Sequence, residues 1–135
     1  MICRVSITDG QSFRWEGQAS ADRLTEVRKA IQDWARRADL PLDLIDALAL
    51  ASYEAMANVA DHAYVDGTLG RVSVLVSASS ETLDVLVADG GRWQAPDVDP
   101  GFRGRGLLLI RGLAEDVAVT STDQGTTVRM SWRRD

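Results

Sequence analysis

The apolar residues of this chain change their repeat partway along, and that change limits the folds open to it. From about residue 20 to 64 they recur at helical spacing; from residue 72 to 87 they alternate. Leu24, Val27, Ile31, Trp34 and Ala35 share one helical face behind Ser20, a good cap, which predicts a helix through about Ala38. A second helix is expected from about Leu42 to His62 or Tyr64, with Pro41 where a first turn tolerates proline. Val72, Val74 and Val76, then Leu83, Val85 and Val87, follow the two-residue period of half-buried strands, with S-A-S-S-E at 77–81 as the hairpin connection. Cys3, Val5 and Ile7 alternate in the same way, and beyond the D-G turn at 9–10 Phe13 and Trp15 predict a short strand pairing back. A Gly/Pro-rich stretch at 90–104 is too long for a simple turn. It leads to a helix expected from about Arg105 to Glu115, then strands at about 117–121 and 126–132 joined through D-Q-G. Paired strands with three helices predict an α+β fold, a two-layer sandwich whose mixed, mostly antiparallel sheet carries the helices on one face. No repeat or linker interrupts the pattern, so residues 1–135 are expected to form one domain.

Composition removes whole classes of chemistry. At 135 residues the chain can bury roughly two thirds of its unfolded surface. A net charge of −5 argues against direct nucleic-acid binding, which needs a basic footprint. The single cysteine, Cys3, cannot form an internal disulfide, and no apolar run approaches the roughly 20 residues of a membrane span. With no charged-then-apolar leader after Met1, a soluble cytoplasmic protein is expected. The only lysine is Lys29, so no G-K-[ST] phosphate loop exists, and one His with one Cys far apart cannot make a zinc site. No G-x-S-x-G elbow is present.

Four polar signals stand out against apolar surroundings: E-A-M-A-N at 54–58, D-G-G at 89–91, G-R-G-L at 104–107 and G-T-T at 125–127. Glu54 and Asn58 are four apart and share a helix face, which Asp61 and His62 extend. Glu54 is the only charge in residues 47–60, so the pair reads as a polar strip on a buried helix facing a cavity; an exposed edge of a core helix is the plainer alternative. A carboxylate accepts protons, and an Asn carbonyl oxygen is a hard ligand for Mg²⁺. His62 is suited equally to touching a phosphate or to satisfying a loop carbonyl. Asp89, if inward-facing, can accept from an exocyclic amine such as that of adenine, with Gly91 permitting close approach. G-R-G-L opens a helix, and helix N-termini bind phosphate; Arg103 and Arg105, near Arg92 and Arg111, add positive charge there.

In this order the motifs resemble the Bergerat-fold (GHKL) ATPases. More narrowly, Y-E-A-M-A-N-V-A-D-H-A-Y at 53–64 and G-R-G-L-L-L-I-R-G-L-A-E-D at 104–116 are similar to the bacterial anti-sigma serine/threonine kinases. The resemblance runs from Phe13 to Trp132. It implies ATP and Mg²⁺ as cofactors, Glu54 as the base activating a serine hydroxyl, and Asn58 as the Mg²⁺ ligand. It further implies Asp89 as the adenine-reading aspartate beside Gly91. Gly104 and Gly106, with Leu107, match the phosphate-side hinge of an ATP lid, and Thr126 the threonine near the base. Two departures stand out: Trp93 occupies the last position of the usual D-x-G-x-G, and the lid, about Arg92 to Arg103, is short and lacks the phenylalanine box of histidine kinases.

The resemblance implies a kinase that sequesters a sigma factor and phosphorylates a serine on an anti-anti-sigma (STAS-type) antagonist, and it implies a homodimer. Two alternatives keep the fold without kinase turnover. One is a nucleotide-gated or nucleotide-free protein-interaction module, to which Trp93 would be a pointer. The other is a regulatory ATPase output domain of a phosphatase or sensor system.

Overall fold

The computed structural model describes residues 6–8, 12–63, 71–89, 110–122 and 125–134; for 6–8, 59–63, 89, 121–122 and 125 only the backbone is described. Six strands and two long helices appear in the order β1 (Ser6–Thr8), β2 (Ser12–Gln18), α1 (Ala21–Arg37), α2 (Leu42–Ala63), β3 (Arg71–Ala78), β4 (Thr82–Asp89), β5 (Asp116–Thr122) and β6 (Gly125–Arg133). Residues 110–113 form a further helical turn. The strands make one sheet in the order β1-β2-β3-β4-β6-β5, and each pairing described is antiparallel. The expected α+β sandwich is therefore present.

Alternation decides which face of the sheet is covered. Phe13 and Trp15 of β2, Val72, Val74 and Val76 of β3, Leu83, Val85 and Val87 of β4, and Val128, Met130 and Trp132 of β6 are all buried. They lie under α1 and α2, whose own buried stripes (Leu24, Val27, Ile31 and Trp34; Ile45, Leu48, Ala55 and Met56) close the core. Each fully buried Leu, Ile or Val contributes about 1.5–3 kcal/mol relative to exposure. Gly17 continues the covered side of β2, and the Trp15 indole lies so near that a Cβ at 17 would stand 2.5 Å from its Cζ2. Glycine at 17 is what lets the tryptophan lie flat there.

Local chemistry sets the element ends. Ser20, extended at φ −82° and ψ 155°, caps α1 by accepting from the Arg23 amide at 3.3 Å. At the other end the Leu40 amide reaches back to the Ala35 carbonyl (3.1 Å) and the Asp39 amide to that of Arg36 (3.0 Å). That pair of bonds is a Schellman motif, with Asp39 in the left-handed region at φ 62°. The β3–β4 hairpin is tighter than S-A-S-S-E implied: β3 runs on through Ala78, and Ser79 holds the turn by accepting from the amides of Glu81 (3.2 Å) and Thr82 (3.0 Å). The third helix also stops earlier than expected, at residue 113. Its end is captured by β6: the Trp132 indole Nε1–H donates to the Leu113 carbonyl at 2.7 Å, and the Glu115 amide donates to the Ser131 carbonyl at 3.0 Å. Among the described residues no helix is long and apolar enough to cross a membrane.

Candidate functional site

α2 runs across the centre of the molecule, against β3, β4 and β6 on one side and α1 on the other. Ala51, Ser52, Ala55 and Met56 are fully buried, while Glu54 and Asn58, one turn apart, are each half-buried. The helix thus turns its small side chains into the core and leaves a carboxylate and an amide along the margin of the buried surface. α1 braces the same turn, with the Arg28 guanidinium stacked over the Tyr53 ring at 5.4 Å to the centroid.

Asn58 shows the clearest imbalance in this region. Its Nδ2 is buried and has no hydrogen-bond partner among the described residues. A buried polar group left unsatisfied costs about 1–3 kcal/mol, so a donor in this condition gains from any acceptor brought to it. The Ser52 hydroxyl, fully buried on the same helix, is likewise unpartnered. Nothing in the sequence sets Ser52 apart from the surrounding alanines; only its burial reveals it.

A second pair of expected site residues meets at the end of the sheet. β4 and β6 run in register from Thr82 opposite Arg133 to Ala88 opposite Thr127. One step further along that register stand Asp89 and Thr126. Thr126 is fully buried, on the side of β6 shared by Val128 and Met130. The backbone of Asp89 is also paired with Val72 of β3, so the aspartate closes a rung between two strands. Its side chain, and that of His62 near the end of α2, are not among those described. Gly91, Arg103, Gly104, Arg105, Gly106 and Leu107 lie outside the described residues, as do Trp93 and the rest of the expected lid.

α2 therefore carries a half-buried acid and amide over the covered face of the sheet, and Thr126 is buried on that face near the start of β6. Among the described residues no three His, Cys, Asp or Glu side chains gather to hold a metal ion. A Mg²⁺ ion bound through one or two protein oxygens and substrate phosphates needs no such cluster. The residues present fit a nucleotide and its ion on that basis, with the orphaned Asn58 amide as the feature that calls for a ligand.

Comparison with known proteins agrees with this geometry. Residues 17–132 match the histidine kinase-like ATPase domain. Over 120 residues the chain is 32% identical to the serine-protein kinase RsbW of Bacillus velezensis, covering 78% of this chain and 74% of that protein. It is 27% identical over 128 residues to the serine-protein kinase RsbW of Bacillus cereus, covering 84% of this chain and 79% of the relative. Among solved structures, the RsbU and RsbW domains of a Mycobacterium tuberculosis protein share the fold, with a TM-score of 0.71 at 18% identity over 90% of this chain. The blue-light activated histidine kinase of Erythrobacter litoralis matches with a TM-score of 0.64 at 26% identity over 84% of this chain. The chain spans 31% and 41% of those two solved chains, respectively. Spacing of the acid and amide, register of the strand ends and the match across residues 17–132 converge: the chain belongs to the histidine kinase-like ATPase domain family.

Proposed function

We propose that the chain is an ATP-dependent serine/threonine protein kinase that acts as an anti-sigma factor. It would sequester a sigma factor and phosphorylate a serine of an anti-anti-sigma antagonist of the STAS type. The observation that carries this reading is the Glu54–Asn58 pair on α2 with its unsatisfied amide, in a chain 32% identical to a serine-protein kinase.

Bound ATP with Mg²⁺ supplies the transferable phosphoryl group and the charge that neutralises it. The protein's part in phosphoryl transfer is mostly positioning and electrostatics. Glu54 accepts the proton of the attacking serine hydroxyl. The carbonyl oxygen of Asn58 would hold the ion, which would leave its buried Nδ2 to donate to an anionic oxygen. Asp89 would read the exocyclic amine of adenine, and Thr126 would lie beside the base. Backbone at Gly104, Gly106 and Leu107 grips the phosphates, with Arg103, Arg105 and His62 supplying positive charge and donors. The proposed kinase acts as a homodimer in the cytoplasm.

Glu54→Ala separates chemistry from binding. ATP affinity should hold while phosphotransfer falls roughly 10²–10⁴-fold, the range for loss of a positioned base. The measurement is phosphoserine formed on a purified antagonist domain from labelled ATP, alongside calorimetry with ATP and Mg²⁺. Unchanged transfer removes Glu54 from the mechanism, and no nucleotide binding at millimolar ATP would return the chain to a pure protein-interaction module.

A further inference from the structure

Opposite the covered face, the sheet presents a side on which no described element packs. One row of paired residues crosses it: Arg14 on β2 faces Leu75 on β3, Leu75 faces Leu86 on β4, and Leu86 faces Arg129 on β6. The two leucines are half-buried and the two arginines exposed. Ser73 and Ala88, themselves paired, extend the floor beyond the leucines with small side chains. A solvated sheet face ordinarily alternates to polar residues; here its middle is apolar and low, and long cationic side chains rise on both flanks.

Several of the charged side chains next to this row already have partners. Glu16 pairs with Arg71 at 3.5 Å, Arg133 with Glu115 at 3.7 Å, and Asp84 accepts from the Thr82 hydroxyl at 3.1 Å. Arg14 and Arg129 form no ion pair among the described residues, in a protein whose net charge is −5. Two uncommitted cations thus bracket an apolar centre on an otherwise acidic molecule.

We infer that this bare face is a docking surface for an acidic amphipathic helix of a partner protein, seated on Leu75 and Leu86 between Arg14 and Arg129. Three strand spacings separate the arginines, about 14 Å. A helix with its side chains is about 10–12 Å across and fits between them, its apolar stripe on the leucines and a carboxylate on each flank. A second copy of the chain is a poor occupant. Packing two such faces about a two-fold axis along the row sets Arg14 on Arg14 and Arg129 on Arg129. An axis along the strands sets Arg14 on Arg129, so either arrangement opposes like charges. The surface is independent of the nucleotide reading, because α2 and its polar residues lie on the other side of the sheet.

The test uses two synthetic helical peptides of roughly 16 residues, long enough to hold helix in isolation. Both carry leucines at i, i+3, i+4 and i+7; one has glutamates flanking that stripe and the other lysines. Fluorescence anisotropy with the whole chain should show binding of the glutamate peptide that weakens as salt rises from about 0.05 to 0.5 M. Arg14→Glu and Arg129→Glu should each weaken it about tenfold, and the double variant should prefer the lysine peptide. Both positions are exposed, so the far-ultraviolet dichroism of the variants should match the parent. Equal binding of both peptides, no binding at millimolar peptide, or salt-independent binding would overturn the inference. So would a homodimer that dissociates on Leu75→Glu, which would make the face a contact between copies.

Discussion

Gly17 and Trp15 show how one residue's identity depends on another two positions away. Both belong to the covered side of β2, and the indole fills the space that a side chain at 17 would need. Because that ring is rigid and buried, Gly17→Ala cannot be relieved by a rotamer change. It should cost about 1–3 kcal/mol, the usual penalty of overpacking, read as a lower urea midpoint with an unchanged slope. The residues of the candidate site differ in how visible they were beforehand. Glu54 and Asn58 were legible because a four-residue interval places two side chains on one helix face whatever the helix packs against. The burial of Thr126 was not, because it depends on β6 lying between β4 and β5, a pairing between segments far apart in sequence.

Elements begin and end here by local hydrogen bonding more than by composition. α1 stops in a Schellman motif although its left-handed position holds Asp39 where glycine is the usual residue. Asp39→Gly should remove the cost of a Cβ in that region and stabilise the protein by up to about 1 kcal/mol, seen as a raised thermal midpoint with phosphotransfer unaffected. The end of α1 near Ala38 was readable from where its apolar period fades, without any glycine to mark it. The end of the third helix was not. Its pattern runs on to Glu115, but the Glu115 amide is drawn to the Ser131 carbonyl and the chain enters β5 instead. A bond supplied by a strand later in the sequence overrides the local helical pattern, and no periodicity reports such competition.

For the molecule as a whole, folding and ligand binding make opposing demands on Asn58. The Asn58 Nδ2 is a buried donor without a partner among the described residues, so Asn58→Leu should raise the stability of the protein alone by about 1 kcal/mol. The same change should abolish the stabilisation that ATP and Mg²⁺ give the parent, about 2.7 kcal/mol at a hundredfold excess over Kd, as measured by denaturation with and without nucleotide. A variant that still gained stability from nucleotide would exclude Asn58 from the site. The layered architecture itself was largely open to inspection in the sequence, since the change from helical to alternating apolar spacing separates helices from strands. The hairpin pairings β1–β2, β3–β4 and β5–β6 were legible as well, but that β2 lies against β3 and β6 against β4, and the registers, were not, since long-range pairing sets them. The indole bond from Trp132 to the carbonyl of Leu113 carries a last implication. Residue 89 departs from β4 and residue 113 is moored to β6, which is β4's immediate neighbour. The separation of the two anchorages is therefore set by the β4–β6 pairing and not by the residues between them.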